Sequence, residues 1–440
     1  MCETACDRSA TLGLVTRTND DKSNYKILKT ASIALTPSPI PEVEFNKIWA
    51  IQPVFNELLS NIVNKNPKWI TDVLREVQEP FLQKLIFIRD SINEQQYPQV
   101  ANLQIMRNDY MCDPELGFKN IEYNTIASSI GGIMTGVQGV QDLVKSHVTM
   151  LRSEILDDFD KKKPNLVNNP LKVADKMEKA HRIYCSRIVS ESKLSGNIDL
   201  SSKTAILFVI EDGPNWNMGD MRKMEFELNS RGIFTIRKSL TQLSSLIIEL
   251  NTLGMEGRLI INDIEISLVY FRAGYQPEHY KTEADFGTRL VLERSRAIKC
   301  PNIDYHLIGF KRIQIELSKN RVLDDFFTEF NMDLSFVKPL KSTFANMWQA
   351  SEQQGFDLAM KSPENYVLKE QMEGGSEIIV GAGIPRVLAE EKKKNCLEKW
   401  VVMDRIRPIE FDTVSSHFPE IFKAVSEVGV YSAFKNFKIE

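Results

Sequence analysis

The sequence predicts an α/β protein whose buried strands alternate with covering helices. Two uninterrupted apolar runs, at residues 205–210 and 266–271, carry this prediction. Such runs are typical of strands that are buried on both faces, as in parallel sheets. A helical pattern at residues 220–230 lies between them, and residues 233–236 have the composition of a further strand. This alternation indicates a parallel sheet with helices over about residues 203–310.

Patterns outside this region predict further elements. Apolar residues recur with helical spacing from Val54 to Val63, and a second such stripe starts at Phe81. The polar first 30 residues are expected to be loosely docked. The other predicted elements are strands at 104–110 and 118–124, an amphipathic helix at 137–151, and strands at 366–369 and 400–403.

Length and composition exclude several classes of protein. The chain has 440 residues, which corresponds to about three folding units. Lys and Arg number 55 against 59 Asp and Glu, a net charge of −4, which argues against a nucleic-acid binder held by a strong basic field. No apolar run approaches the roughly 18 residues of a membrane span, and we expect no signal peptide. The six cysteines form no CxxC pair, so we expect reduced thiols in a cytoplasmic protein without a zinc site.

A carboxylate and an amide occupy alternate positions of one predicted strand, at Glu122 and Asn124. Alternate residues of a strand point the same way, so the two side chains present oxygen atoms side by side. Mg²⁺ prefers such ligands. An exposed strand face has the same spacing, and the pattern alone leaves both interpretations open.

Two other segments contain residue types that bind phosphate or carboxylate groups. Lys369 leads into Glu373, Gly374 and Gly375; glycine lets backbone N–H groups approach phosphate oxygens, and a carboxylate can hold a bridging metal. A glycine hairpin with charged flanks is the alternative. Arg272 follows a buried strand, where loops line the ligand crevice of an open parallel sheet. It can bind a carboxylate or form a structural salt bridge.

Five segments in this order resemble eukaryotic glutathione synthetase, an ATP-grasp ligase, over about residues 30–437. The segments are 107–111, 121–132, 271–275, 292–301 and 369–375. The resemblance implies an ATP-grasp architecture with an inserted parallel-sheet domain and an antiparallel lid. The implied division is a core of residues 1–202, 311–365 and 429–440, a substrate-binding domain of residues 203–310, and a lid of residues 366–428.

The resemblance also implies an activity. The family uses ATP to join γ-glutamylcysteine to glycine through an acyl phosphate, with two Mg²⁺ ions on the phosphates. It further implies a homodimer. Arg107 is the implied catalytic residue, because it would stabilise the acyl phosphate and the developing oxyanion.

The implied sites are carried over residue by residue. Lys311 and Lys369 would hold phosphates, Met403 to Ile406 would line the adenine pocket, and Glu427 would receive the ribose. The implied metal ligands are Glu122, Asn124 and Glu373. The implied nucleotide-binding residues are Glu122, Lys311, Lys369, Gly374, Gly375, Met403, Asp404, Arg405, Ile406 and Glu427. The implied dipeptide-binding residues are Arg107, Ser128, Ser129, Asn217, Arg272 and Tyr275.

The chain departs from the family pattern at the γ-glutamyl end of the dipeptide pocket. Ala127, Asn215 and Met221 stand where the family has serine, an acidic residue and glutamine. An unpaired charged group on a bound substrate costs about 1–3 kcal/mol, so we expect weaker affinity for γ-glutamylcysteine. The lid loop also differs, with Ser376, Glu377, Ile378 and Val380 in place of glycine, two asparagines and tyrosine.

The family continues beyond the position of Glu440 with a strand and a closing loop rich in glycine and alanine. We therefore expect this chain to lack the residues that hold glycine and exclude water from the acyl phosphate. Two alternatives to an active synthetase stay open. One is a binding protein that keeps the fold without turnover, and the other is a ligase for a different dipeptide or acceptor.

Overall fold

The computed structural model describes residues 1–17, 27–92, 101–129, 131–151, 172–195, 203–213, 215–250, 257–319, 321–372 and 378–437. The described helices are α1 (Cys2–Thr11), α2 (Glu42–Lys65), α3 (Pro67–Leu74), α4 (Pro80–Asp90), α5 (Gly131–Leu151), α6 (Lys172–Ser195), α7 (Met218–Ser230), α8 (Leu240–Leu250), α9 (Glu283–Arg294), α10 (Ile303–Leu307), α11 (Lys311–Ser318), α12 (Val322–Glu329), α13 (Val337–Thr343), α14 (Gln353–Lys361) and α15 (Gly383–Lys393). The described strands are β1 (Val15–Arg17), β2 (Leu28–Thr30), β3 (Ala101–Asp113), β4 (Gly117–Asn124), β5 (Lys203–Val209), β6 (Phe234–Lys238), β7 (Ile260–Ile261), β8 (Ile264–Phe271), β9 (Ile298–Cys300), β10 (Met347–Gln349), β11 (Tyr366–Glu370), β12 (Ile379–Val380), β13 (Trp400–Asp404), β14 (Glu410–Thr413), β15 (Phe422–Val425) and β16 (Glu427–Phe437). None of the described helices is long and apolar enough to cross a membrane.

The sheet expected over residues 203–310 is present. Strand β5 pairs in parallel with β6 and β8, β8 pairs in parallel with β9, and the short β7 is antiparallel to β8. Side chains of β5 alternate between two apolar cores: Leu207 packs with α8 and α9 on one face, and Phe208 packs with α6 on the other. Because both faces are covered, the strand is apolar at successive positions, which explains the run seen in the sequence.

A second sheet, of strands β16, β3 and β4, carries most of the charged residues discussed below. Its strands are antiparallel, and β3 lies in the middle. Glu427 at the start of β16 is opposite Met111, and Tyr431 is opposite Arg107. On the other side of β3, Asp109 is opposite Glu122, immediately before an irregularity in the register. The sheet therefore places residues of the β3–β4 hairpin beside residues of β16, about 300 positions further along the chain.

A third sheet is antiparallel and has the strand order β10, β13, β11, β12. Its apolar face packs against α14 and α15 through Leu368, Ile384, Leu388 and Val402. Lys369 on β11 is opposite Val401 on β13, so the lysine points away from this core and towards the second sheet.

The expectation that the first 30 residues are loosely docked is wrong for α1 and the turn that follows it. Ala5 and Leu14 are fully buried and pack with Val140 of α5. The apolar residues of this segment are few, and only the tertiary contact with α5 makes them a core. A local sequence pattern does not contain that information.

Candidate functional site

Seven polar side chains meet where the second sheet faces β11 and the start of α11. We call this group the charged cluster; its members are Arg107, Asp109, Glu122, Asn124, Lys311, Lys369 and Glu427. They come from β3, β4, α11, β11 and β16. All except Asp109 were candidate site residues from the sequence.

Asp109 fixes the geometry of two of these residues. Its two oxygens accept bonds from Arg107 Nε at 2.6 Å and Nη2 at 2.7 Å. Asn124 Nδ2 donates to the same carboxylate at 2.8 Å. Burial raises the pKa of Asp109, and hydrogen bonds from Arg107 offset part of that rise. For Arg107, burial acts to lower the pKa, but Asp109 outweighs it and the pKa is raised.

The orientation of Asn124 follows from this contact. Because its amide nitrogen is held by Asp109, its amide oxygen is left available. Glu122, two residues earlier on β4, is half-buried on the same face. One carboxylate and one amide oxygen are suitable donors for Mg²⁺, so these two residues fit the ion. The third implied ligand, Glu373, lies outside the described residues. Within the described part of the chain, no group of three His, Cys, Asp or Glu side chains is arranged to hold a metal.

Two buried lysines lie beside Glu122. Lys311 begins α11, and its Nζ donates to the carbonyl of Met372 at 3.0 Å and lies 4.0 Å from Glu122 Oε2. Lys369 Nζ donates to the carbonyl of Ile121 at 3.3 Å. Burial lowers the pKa of Lys369, and the nearby Lys311 lowers it further, while Glu122 raises it. An anionic ligand at this position would favour the charged form of the lysine.

Glu427 is the residue of β16 that joins the charged cluster. Loss of hydration around its carboxyl group, together with the negative charges of Asp109 and Glu122, raises its pKa to about 6. Glu427 lies opposite Met111, which packs against an apolar group containing Met403. A carboxylate and an apolar wall are therefore neighbours here, a combination found in small-molecule sites.

The four residues expected to line the adenine pocket differ in their surroundings. Met403 is buried, and Ile406 packs at the edge of the same apolar group. Asp404 accepts a bond from Asn346 Nδ2 at 2.7 Å, and Arg405 is exposed. Gly374 and Gly375, like Glu373 and the altered positions Ser376 and Glu377, lie outside the described residues.

Gly429 gives Arg107 the space that it occupies. Gly429 is opposite Asp109 in the sheet, and a Cβ atom at this position would lie 2.8 Å from Cδ of Arg107. A larger residue on β16 would displace the guanidinium group. Gly429 and Asp109 are therefore supporting residues that the sequence reasoning missed. The i, i+2 spacing of Arg107 and Asp109 is the signal that could have indicated the latter.

The loop after β4 is held by two arginines. Arg107 Nη1 donates to the carbonyl of Ser129 at 3.0 Å, and Arg272 Nη1 donates to the carbonyl of Ala127 at 2.9 Å. Arg272 also contacts the carbonyl of Ser128 and, at 3.4 Å, Asp220 Oδ2. The side chain of Arg272 is only 3% exposed. In this conformation both of its terminal nitrogens contact the protein itself, which is the structural alternative that the sequence left open.

A small cavity of about 20 Å³ lies beside Arg272 and is also lined by Ser128, Asp220, Met221 and Tyr431. That volume holds one water molecule. Nε of Arg272 and the hydroxyl of Tyr431 are buried without a hydrogen-bond partner, and both residues border this space. The cavity is therefore too small for a dipeptide but polar enough for water.

Gly132 explains how closely the walls of this cavity approach each other. Its N–H donates to Asp220 Oδ1 at 2.6 Å, and a Cβ atom there would lie 2.5 Å from the carbonyl oxygen of Asp220. Only glycine permits this contact between the start of α5 and α7.

The remaining predicted dipeptide residues lie outside the lining of this cavity. Asn217 caps the start of α7 without a side-chain cap bond. Tyr275 contacts Glu211 Oε1 at 3.4 Å. Asn215, one of the departures from the family pattern, is buried and accepts a bond from Arg237 Nη2 at 2.8 Å. The asparagine is thus part of the wall between β5 and β6.

Comparison with known proteins identifies the family. Residues 1–436 match the family described as "Eukaryotic glutathione synthase, ATP binding domain". The chain belongs to the eukaryotic glutathione synthase family. The resemblance inferred from the five motifs is confirmed, and the family places the chain among ATP-dependent ligases.

Relatives match over most of their length. Glutathione synthetase of Xenopus laevis is 28% identical over 98% of this chain and 87% of its own. The human enzyme is also 28% identical, with the same coverage of 98% and 87%. The chloroplastic enzyme of Solanum lycopersicum is 30% identical over 93% of this chain and 71% of its own.

A solved structure has the same fold. It is a glutathione synthetase-like effector from Globodera pallida in its apo form, with a TM-score of 0.70 and 17% sequence identity, covering 99% of this chain and 89% of that one. This likeness confirms the expected α/β fold of the glutathione synthetase type.

Proposed function

We propose that the chain is an ATP-dependent ligase that joins γ-glutamylcysteine to glycine and releases ADP and phosphate. The observation that carries the proposal is the meeting of Lys311, Lys369 and Glu122 directly beside Arg107. Lysines and a metal-binding carboxylate are the groups that phosphoryl transfer needs. An arginine next to them supplies the charge for an acyl phosphate.

Each residue has a physical role in this proposal. Lys311 and Lys369 bind the phosphates, and the low exposure of both makes their charges effective in attracting an anion. Arg107 keeps Nη1 and Nη2 in place through Ser129 and Asp109, so it offers a preorganised charge to the acyl group. Glu427 accepts a ribose hydroxyl, and Met403 with Ile406 forms the apolar wall for adenine.

Magnesium completes this site in the proposal, with two ions held by Glu122, Asn124 and Glu373. When bound, the ions neutralise phosphate charge and polarise the transferred group. Asp109 supports the arrangement from behind, because it holds the nitrogen of Asn124 and thus directs the amide oxygen outward.

A second candidate function has its own support. The terminal nitrogens of Arg272 contact Ala127, Ser128 and Asp220, and the adjacent cavity has a volume of only about 20 Å³. A site of this form would have to open before a dipeptide could enter. The second candidate is therefore a protein of this family that uses ATP with another acyl donor or binds ligands without completing the ligation.

We also propose the domain division, assembly and location that the family resemblance implies. The core comprises residues 1–202, 311–365 and 429–440, the substrate-binding domain residues 203–310, and the lid residues 366–428. The assembly is a homodimer. All six cysteines are free thiols, which supports a reducing compartment such as the cytoplasm.

One assay tests the proposal. The protein is incubated with Mg²⁺, ATP, γ-glutamylcysteine and glycine, and both ADP and tripeptide are measured. Equal amounts of ADP and tripeptide, each dependent on both amino substrates, are expected. ADP release without tripeptide would favour the second candidate, and absence of ADP release would refute the proposed ligation of γ-glutamylcysteine.

Matched glutamate variants make the assay specific. Glu122→Gln keeps the size of the side chain and removes a metal-binding charge, so it should reduce ADP formation by at least about 100-fold. Glu115→Gln changes an exposed glutamate in the turn between β3 and β4 and should leave the rate unchanged. Equal rates in the two variants would show that the metal assignment is wrong.

A further inference from the structure

A groove of about 350 Å³ lies on the parallel-sheet region, apart from the charged cluster. It is lined by the turn after α7, at Arg231 to Ile233, and by four residues of α6: His181, Arg182, Cys185 and Ser186. The volume is in the range of small-molecule sites. None of the groups assigned to ATP or dipeptide binding lines it.

A thiol and an imidazole face each other in this groove. Cys185 Sγ lies 3.7 Å from Nε2 of His181, one helical turn earlier on α6. The other ring nitrogen, Nδ1, lies 2.7 Å from Oγ of Ser267. Ser267 in turn donates its single hydroxyl proton to the carbonyl of Ala205 at 3.0 Å.

This chain of bonds fixes the tautomer of His181. Because the proton of Ser267 is already used, its oxygen can only accept from the ring, so Nδ1 of His181 carries the hydrogen. Nε2 is then unprotonated and faces Cys185. A nucleophile, a base and a third group that orients the base are thus in line.

The position of Ser267 results from an irregularity in the sheet. Ala205 pairs with Ile266 and Ile206 pairs with Leu268, so Ser267 is an extra residue of β8 between two successive pairs. Such bulges redirect a side chain and are frequent beside functional sites. Here the bulge places a fully buried hydroxyl between the carbonyl of Ala205 and His181.

The thiol and imidazole are neutral at rest. Burial raises the pKa of Cys185, and burial lowers the pKa of His181. Thr204 Oγ1 lies 3.7 Å from the sulfur, and its hydroxyl can turn to donate to a thiolate. The groove therefore suits a thiol that loses its proton during reaction, with His181 as the acceptor.

The turn after α7 offers no backbone oxyanion hole for acyl transfer at this thiol. The N–H groups of Gly232 and Ile233 both donate to carbonyls at the end of α7, so these two described lining residues offer no donors for an oxyanion. Thiol–disulfide exchange needs no such donors. A metal site would need a third ligand, and the described residues contain no group of three suitable side chains.

We propose that Cys185 is a reactive thiol that undergoes exchange with a small disulfide bound in this groove, with His181 as general base. The S–H proton moves to Nε2 of His181 as the sulfur attacks one sulfur of the disulfide. That S–S bond breaks, a mixed disulfide forms at Cys185, and the departing thiolate takes the proton from His181. One disulfide and one thiol are consumed, and one of each is formed.

Charged groups near the groove come from three elements. On α6, Arg182 pairs with Glu178 at 2.7 Å. Arg231 pairs with Glu178 at 3.0 Å and also with residues of α6 and α7. Glu265 of β8 acts on Cys185 by raising the pKa of the thiol. Because the arginines are paired with carboxylates, we expect the groove to accept a neutral disulfide.

The test uses bis(2-hydroxyethyl) disulfide and the whole protein, with mass spectrometry resolving each cysteine. Cys185 should be modified in the wild type, and His181→Gln should slow that modification by at least about tenfold. The exposed Cys396 serves as an internal reference whose rate should not change, and the fully buried Cys300 should stay unmodified. Cys185→Ser should remove the adduct.

A pH profile separates a base from a merely structural histidine. In the wild type the rate at Cys185 should reach a plateau above the lowered pKa of His181. In His181→Gln it should keep rising by about tenfold per pH unit, because only spontaneous ionisation of the thiol remains. Unmodified Cys185 in the folded wild type, or equal profiles in the two proteins, would overturn the proposal.

Discussion

Replacement of Asp109 by asparagine tests the reasoning about the charged cluster most directly. Asp109 is a buried carboxylate, 1% exposed at its side chain, that holds Arg107, whose side chain is 16% exposed. It also accepts a bond from Asn124. Asparagine has nearly the same shape, so Asp109→Asn removes charge and one acceptor without leaving a cavity.

The size of the effect follows from the three bonds. Arg107 donates twice, at 2.6 and 2.7 Å, and Asn124 donates once, at 2.8 Å. An asparagine oxygen can keep only part of this set, while its NH₂ group faces another donor. Breaking a buried ion pair costs about 3–5 kcal/mol. Burial raises the pKa of Asp109, so removing its charge also removes a desolvation cost, and we expect about 3 kcal/mol.

Two measurements check this prediction. Urea unfolding should show the loss of stability, and ADP formation should fall by about 100-fold, because Arg107 and Asn124 lose their fixed positions. Asp113→Asn is the matched control. Asp113 ends the same strand, and its Oδ1 accepts backbone bonds from Glu115 and Leu116 in the following turn. If Asp109→Asn resembles this control in both measurements, Asp109 does not position the cluster.

Three further predictions concern single residues. Lys369→Met should leave the melting temperature unchanged or higher, because a buried charge is removed. The same variant should bind Mg-ATP at least about tenfold more weakly by calorimetry. Unchanged affinity would exclude Lys369 from the phosphate site. The raised pKa of Glu427 means that folding favours its protonated form. In urea titrations, the stability of the wild type relative to Glu427→Gln should therefore fall as the pH rises from 4.5 through about 6. Parallel pH profiles of the two proteins would contradict this. Leu207→Ala, in the middle of β5 and fully buried, should cost about 2–5 kcal/mol in urea unfolding, and a loss below about 1 kcal/mol would place Leu207 outside the core.

The parallel sheet could be predicted because its signal is local. Residues 205–210 and 266–271 are apolar at nearly every position, and covering both faces of a strand requires such a run. The helix α1 could not be predicted in this way. Its few apolar residues become a core only through α5, more than a hundred residues further along the chain.

The charged cluster also combines residues that a local pattern predicts with residues that only the tertiary structure brings together. Glu122 and Asn124 were visible because alternate residues of a strand share a face. Their relation to Lys311, Lys369 and Glu427 depends on which strands lie side by side, and only the resemblance to a family supplied it. Asp109 escaped notice because a carboxylate two residues from an arginine is common on exposed strands, and its burial is a property of the assembled sheet.

The role of Arg272 likewise depends on which residues surround it in the folded structure, and its residue type alone does not determine it. Both interpretations of this arginine were open, because the end of a buried strand suits either ligand binding or a structural contact. Its contacts with Ala127, Ser128 and Asp220 satisfy the structural interpretation in the described conformation. A carboxylate ligand would have to replace these partners and open the loop after β4. Since Arg107 holds Ser129 in the same loop, such opening would be transmitted to Arg107 itself. In the proposed function, entry of the acyl donor and positioning of Arg107 are therefore coupled through Ala127, Ser128 and Ser129 of one loop.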